Sequence, residues 1–152
     1  MTNQIINELS ADLITSLQAE RMVLLSTVDF ERGTPSMSAI SWVRAVDAQR
    51  IRFAVSQQSR IVTNIKQDPN IVLTLFAQDT VYAIEGKATI LEDGMQDVPI
   101  KLTCIEARVE AVRDVMFYGA KITAEPQYEK TYPAAQATKL DNQVFARMLQ
   151  LP

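Results

Sequence analysis

Ile51-Arg52-Phe53-Ala54-Val55-Ser56-Gln57-Gln58-Ser59-Arg60-Ile61-Val62-Thr63-Asn64-Ile65-Lys66-Gln67-Asp68-Pro69-Asn70 changes its period halfway along. Ile51, Phe53 and Val55 alternate, as the buried side of a β-strand does. Ile61 and Ile65 are one helical turn apart, and Pro69 forbids the helix from continuing. Ser59 stands where an N-cap is needed, so a helix is expected over residues 59–67. Ser56 to Arg60 therefore joins a strand end to a helix start. Free amides at a helix start, serine hydroxyls and a guanidinium can converge there on one anion, such as a phosphate. From these residues alone, an ordinary cap at Ser59 and an ordinary solvated side chain at Arg60 are the favoured reading.

Working outward, residues 22–29 and 36–46 read as strands, separated by a Phe30-Glu31-Arg32-Gly33-Thr34-Pro35 turn in which Gly33 supplies positive φ. Residues 71–76 and 81–91 are the next two strands, joined by a polar turn at Gln78-Asp79-Thr80. Gly86, inside the second of these, points to a bulge or a close backbone approach. Residues 100–115 alternate as a long sixth strand, with Ile105, Ala107, Val109 and Ala111 on one side. Helical spacing spans residues 5–20, with Ser10 as a possible internal cap, and residues 134–149, with Leu140, Val144 and Met148 as a seam. Six strands joined mainly by tight turns do not alternate as βαβ units do. They imply a mainly β fold, an antiparallel barrel with N- and C-terminal helices packed on it.

The 152 residues suit a single domain, 1–152, with a core over about 17–122 and a C-terminal helix over about 134–150. No histidine is present, which removes imidazole general-base chemistry, Ser-His-Asp and Cys-His nucleophiles, and histidine-ligated zinc or haem. Cys104, the one cysteine, lies in an apolar run and reads as a buried structural thiol, and the lack of a disulfide pair suits a reducing compartment. A net charge of -3 with no Lys/Arg cluster argues against nucleic acid. No stretch approaches the roughly 20 apolar residues of a membrane span, and the polar start lacks a signal-like run. We therefore expect no membrane partner and a cytoplasmic location. Any chemistry would come from a borrowed organic cofactor.

In order along the chain, Leu24-Leu25-Ser26-Thr27-Val28-Asp29, Gly33-Thr34-Pro35, Ser38-Ala39-Ile40-Ser41-Trp42-Val43, Ile51 to Val55, Ser59-Arg60 with Asn64-Ile65, Asp68-Pro69-Asn70-Ile71 and Ile84-Glu85-Gly86-Lys87-Ala88 resemble the pyridoxamine 5'-phosphate oxidase-like, flavin-binding split-barrel family. The resemblance covers about residues 17–91, and more loosely reaches 122. It implies a six-stranded split barrel, a homodimer, and FMN held in grooves between subunits. FAD is the alternative, with the deazaflavin F420 and haem disfavoured. It implies that Ser59 and Arg60 hold the phosphate, assisted by Ser38, Ser41 and Ser56, with Ile40, Ser41, Trp42 and Val55 lining the cofactor. Ser38, Val43, Ile61 and Val81 stand where the oxidases place arginine, two lysines and a flavin-contacting glutamine. The histidine of their substrate motif is missing too, so pyridoxamine-phosphate oxidation is not expected.

Other residues admit two readings. Trp42 could stack on a flavin or simply fill the barrel or an interface, and packing is favoured. Met116 to Lys121 could be a lid with Lys121 near an anion, or a turn on the barrel wall. Tyr128 and Tyr132, between Pro126 and Pro133, suit interface anchors. The expectation is a small FMN-dependent oxidoreductase working by hydride transfer at flavin N5. The alternatives are a non-catalytic flavin or phospho-ligand binder, such as a stress protein, and a dimeric scaffold with an empty groove.

Overall fold

The computed structural model of the protein describes residues 6–152. In chain order its elements are α1 (Ala11–Ser16), β1 (Val23–Val28), β2 (Pro35–Ile40), β3 (Val43–Ala45), β4 (Arg50–Ser56), α2 (Arg60–Gln67), β5 (Asn70–Ala77), β6 (Thr80–Asp93), β7 (Leu102–Asp114) and α3 (Ala134–Gln150). The strands form one antiparallel sheet in the order β2-β1-β5-β6-β7-β4-β3.

There are seven strands, not six. The run expected as one strand over 36–46 changes partner at Ser41-Trp42. Its first half pairs with β1, from Val23 opposite Ile40 to Val28 opposite Pro35. Its second half pairs with β4, with Val43 opposite Phe53. β2 and β3 are thus the two edges of the sheet yet consecutive in sequence, so the sheet must curl until its edges meet. The barrel is closed there by the chain itself rather than by a ladder of hydrogen bonds.

The helix expected over 5–20 is also shorter. Ile5 lies outside the described residues, and Ile6 is drawn into the sheet, accepting from Val112 N at 2.7 Å. Ser10 caps α1 by accepting from Leu13 N at 3.2 Å. Beyond Ser16 the helix stops, and Leu17 O accepts from Ala45 N at 3.1 Å.

Alternation on β1 and β5 sends Val23, Leu25, Leu73 and Leu75 inward, where they meet Ile51, Phe53, Ile84 and Ile105 in the barrel core. A second cluster lies beneath α3. Val144 and Met148 cover Ala54, Leu102 and Cys104, with Trp42, Leu140 and Phe145 packed at its margin. Cys104 is fully buried, and burial pushes its thiol up to about 11. Gly86 marks a bulge between Glu85 and Gly86, where a Cβ would meet the Arg108 carbonyl oxygen at 2.5 Å. Gln78 and Asp79, both with positive φ, form the two-residue turn between β5 and β6.

Buried Arg52 fixes α3 to the sheet. Its Nε donates to Glu106 Oε1 at 3.0 Å, and its Nη atoms donate to the carbonyls of Met148, Leu151 and Pro152 at 2.8, 2.7 and 3.1 Å. Those carbonyls belong to the end of a helix, where no intrahelical partner remains for them. Arg147 adds a second tie, donating through Nε to Glu92 at 3.0 Å.

Candidate functional site

The corner where β4 ends and α2 begins is built by the local signals of the sequence. Ser59 caps α2, accepting from Ile61 N at 3.1 Å, and Ser59 N donates to Ser56 O at 2.9 Å to turn the chain. Val55 is buried at the end of β4, while Ser56 is exposed. Ala54 N donates to Trp42 O at 3.0 Å, extending the β3–β4 ladder by one step, and continuing that register sets Ser41 opposite Val55. Residues 40–42 and 55–60 therefore share one corner of the barrel. Ser38, on β2 opposite Leu25, is half-buried along the same edge, and Ile40 packs on the barrel core.

Arg60 is not free at this corner. Its Nε donates to Asp29 Oδ1 at 2.7 Å, and its Nη2 donates to Asp29 Oδ2 at 3.2 Å and to Glu31 Oε1 at 2.9 Å. The guanidinium also lies 4.5 Å from the centre of the Phe30 ring. Asp29 shapes the turn that presents these groups, its Oδ2 accepting from the amides of Glu31 and Arg32 at 3.2 and 2.9 Å. The Arg60 guanidinium, with help from those amides, holds the Asp29 carboxyl down at about 2, so Asp29 is ionised at neutral pH. Fully buried Asn64, one turn along α2, completes the clasp. It accepts from Phe30 N and donates to Thr27 Oγ1, both at 2.9 Å.

The remaining predicted residues fall in two places. Trp42 packs against the cluster beneath α3, and its indole N–H donates to Asp141 Oδ1 at 2.8 Å. Lys121 is exposed at the opposite end of the barrel, its neighbour Ile122 donating to Asp79 O at 2.7 Å. Ser56 lies opposite Leu102, whereas Asp79 is beside the Asp114 end of β7, roughly 40 Å of strand away. Within one chain, Lys121 and the corner are not brought together. Val43 and Ile61, which the resemblance sets at lysine positions of the oxidases, are both buried in the barrel core.

Sequence reasoning missed Asp29 and Glu31 as partners of Arg60. Asp29 followed by Gly33 is a legible turn, but an ion pair to a residue 31 positions away has no local signature. It also missed a cleft of 250 Å³ beside the β2–β3 crossing, walled by Ile40, Ser41, Trp42, Tyr128, Tyr132 and Asp141. Lys130 closes one side of it, bridging Glu20 and Asp141. Burial draws the Lys130 ammonium down and these two carboxylates draw it up, with a net rise. A larger cleft of 660 Å³ continues from Tyr128 and Tyr132 towards Arg21 and Glu125, which are paired at 2.9 Å.

A curled antiparallel sheet whose two edge strands are consecutive in sequence defines the split-barrel class. The chain belongs to the pyridoxamine 5'-phosphate oxidase family, whose model matches residues 10–141. Among solved structures it is similar to a candidate pyridoxamine 5'-phosphate oxidase of Lactobacillus delbrueckii, at 18% identity and a TM-score of 0.59, covering 71% of this chain and 95% of that one. An F420 reductase aligns at 21% identity and a TM-score of 0.55, covering 65% of this chain and 94% of the other. An FMN-binding protein of Syntrophomonas wolfei aligns at 16% and 0.51, covering 70% and 84%. At these identities the likeness establishes the fold. No curated protein matches the chain in sequence.

Proposed function

We propose that the protein binds FMN at the corner between β2, β4 and α2, as a homodimer, and serves as a small flavin-dependent oxidoreductase. The observation that carries this reading is that Ser56, Ser59 and Arg60 stand together at one exposed corner where β4 turns into α2, next to the chain crossing at residues 40–42. Two hydroxyls and a half-exposed guanidinium suit a phosphate. Ser59 and Arg60 would hold that group and Ser38, Ser41 and Ser56 would assist. Ile40, Trp42 and Val55 would bound the ring, and Lys121 would reach the corner only from a second copy. When bound, the flavin would supply hydride chemistry at N5, and these residues would orient it. No side chain here is assigned as a general base. FMN is preferred to FAD and F420, although an F420 reductase shares the fold.

Asp29 and Glu31 bear on affinity. Both already draw on Arg60, and Ser38, Val43, Ile61 and Val81 replace polar or cationic groups of the oxidases, so binding should be weak for this fold. That same pairing favours a second reading, a non-catalytic flavin or phospho-ligand binder or a scaffold whose groove stays empty. Titration of purified protein with FMN and riboflavin, followed by flavin fluorescence, separates them. Preference for FMN, with Arg60→Ala weakening it about ten- to a hundred-fold, supports the corner. Equal affinity for both flavins, or an unchanged R60A, removes Arg60 from the site. Anaerobic reduction of bound flavin by a nicotinamide cofactor then distinguishes enzyme from binder.

A further inference from the structure

We infer that the cleft between the β2–β3 crossing and the 124–132 segment is a second binding site, for a neutral, planar molecule of one or two rings bearing a carbonyl oxygen. Three aromatic side chains, Trp42, Tyr128 and Tyr132, and the aliphatic Ile40 wall it, and flat faces of this kind select flat ligands. Its charges are spent internally. Asp141 accepts from the Trp42 indole at 2.8 Å and from Lys130, and Lys130 is also held by Glu20. A charged ligand would have to break that network, and a neutral one would not. Hydroxyls of Ser41, Tyr128 and Tyr132 on the wall can donate to a carbonyl oxygen.

Size narrows the class further. At 250 Å³ the cleft falls just under the roughly 300–1,000 Å³ of pockets that enclose drug-sized ligands. A whole flavin nucleotide is too large for it, and a bicyclic ring is not. Both tyrosines come from the segment leading into α3, outside the corner assigned to the cofactor. The two sites share Ile40, Ser41 and Trp42 as a common wall, so this ligand would lie beside the flavin ring. Its role as a substrate subsite rests on the flavin reading, while its binding does not.

Trp42 is the single tryptophan, so in FMN-free protein its emission reports this cleft. Coumarin, a neutral bicyclic lactone, is the probe. Saturable quenching of Trp42 at one coumarin per chain is expected, with the double variant Tyr128→Ala, Tyr132→Ala weakening it tenfold or more. FMN affinity in that variant, read by flavin fluorescence, should stay within twofold. Both tyrosines are exposed by more than 40%, so the variant should fold, and far-UV circular dichroism checks it. Non-saturable quenching, or an unchanged affinity in the folded double variant, overturns this inference even where FMN binds normally. Loss of FMN binding in the wild type with coumarin binding intact overturns the cofactor reading instead.

Discussion

Asp29 illustrates how one side chain can answer to two demands. It closes the β1–β2 turn through the amides of Glu31 and Arg32, and it holds Arg60 against that turn. Its carboxyl titrates at about 2 when folded, against an ordinary 3.8, so the folded state favours the ionised form. The stability this contributes is complete above about pH 4 and is lost as pH falls towards 2. In urea unfolding followed across pH 2 to 5, Asp29→Asn should flatten the acid limb relative to wild type. Parallel curves for the two proteins would show that the clasp does not couple to titration. The cap at Ser59 and the turn at Gly33 were legible because their signals lie within a few residues. The clasp was not, since nothing in the order of residues tells Arg60 to choose Asp29 over a ligand or solvent.

At the scale of elements, periodicity located nearly every strand and all three helices, though it made α1 too long, because burial on one face leaves a mark every second or every third to fourth residue. It could not see the break in the 36–46 run. Alternation continues across Ser41-Trp42, and only the identity of the partner strand changes. The docking of α3 was equally hidden, since its main anchor, Arg52, sits in the middle of a strand and reads as an outward-facing charge. Arg52→Met should destabilise the protein by about 3 kcal/mol, as removing one partner of a buried ion pair does. Glu106 keeps Arg50 at 3.7 Å, which holds the cost to the low end of that range. Thermal unfolding monitored by the α3 signal and by the barrel signal would check it. If the variant unfolds at the wild-type temperature, the three carbonyl contacts do not secure the helix.

For the molecule as a whole, Met37, Val115, Phe117 and Tyr118 are between 50% and 96% exposed, more than a lone barrel would leave in water without a reason. Sedimentation should therefore give about 34 kDa, twice the 17.0 kDa chain, and Phe117→Asp with Tyr118→Asp should shift the protein towards the monomer. A monomeric wild type would leave Lys121 stranded far from the corner and withdraw it from any site. One last property follows from the chain crossing from one sheet edge to the other. β1–β2 and β3–β4 are local hairpins joined at Ser41-Trp42, so the two sheet edges come together only once β1 has paired with β5 and β4 with β7, partners far away in sequence. Such distant pairings are slow to form, so amides of the β1–β5 and β4–β7 ladders should gain protection from exchange later in refolding than those of the two hairpins. Whatever ligand the corner holds would then meet a pocket that matures last and frays first.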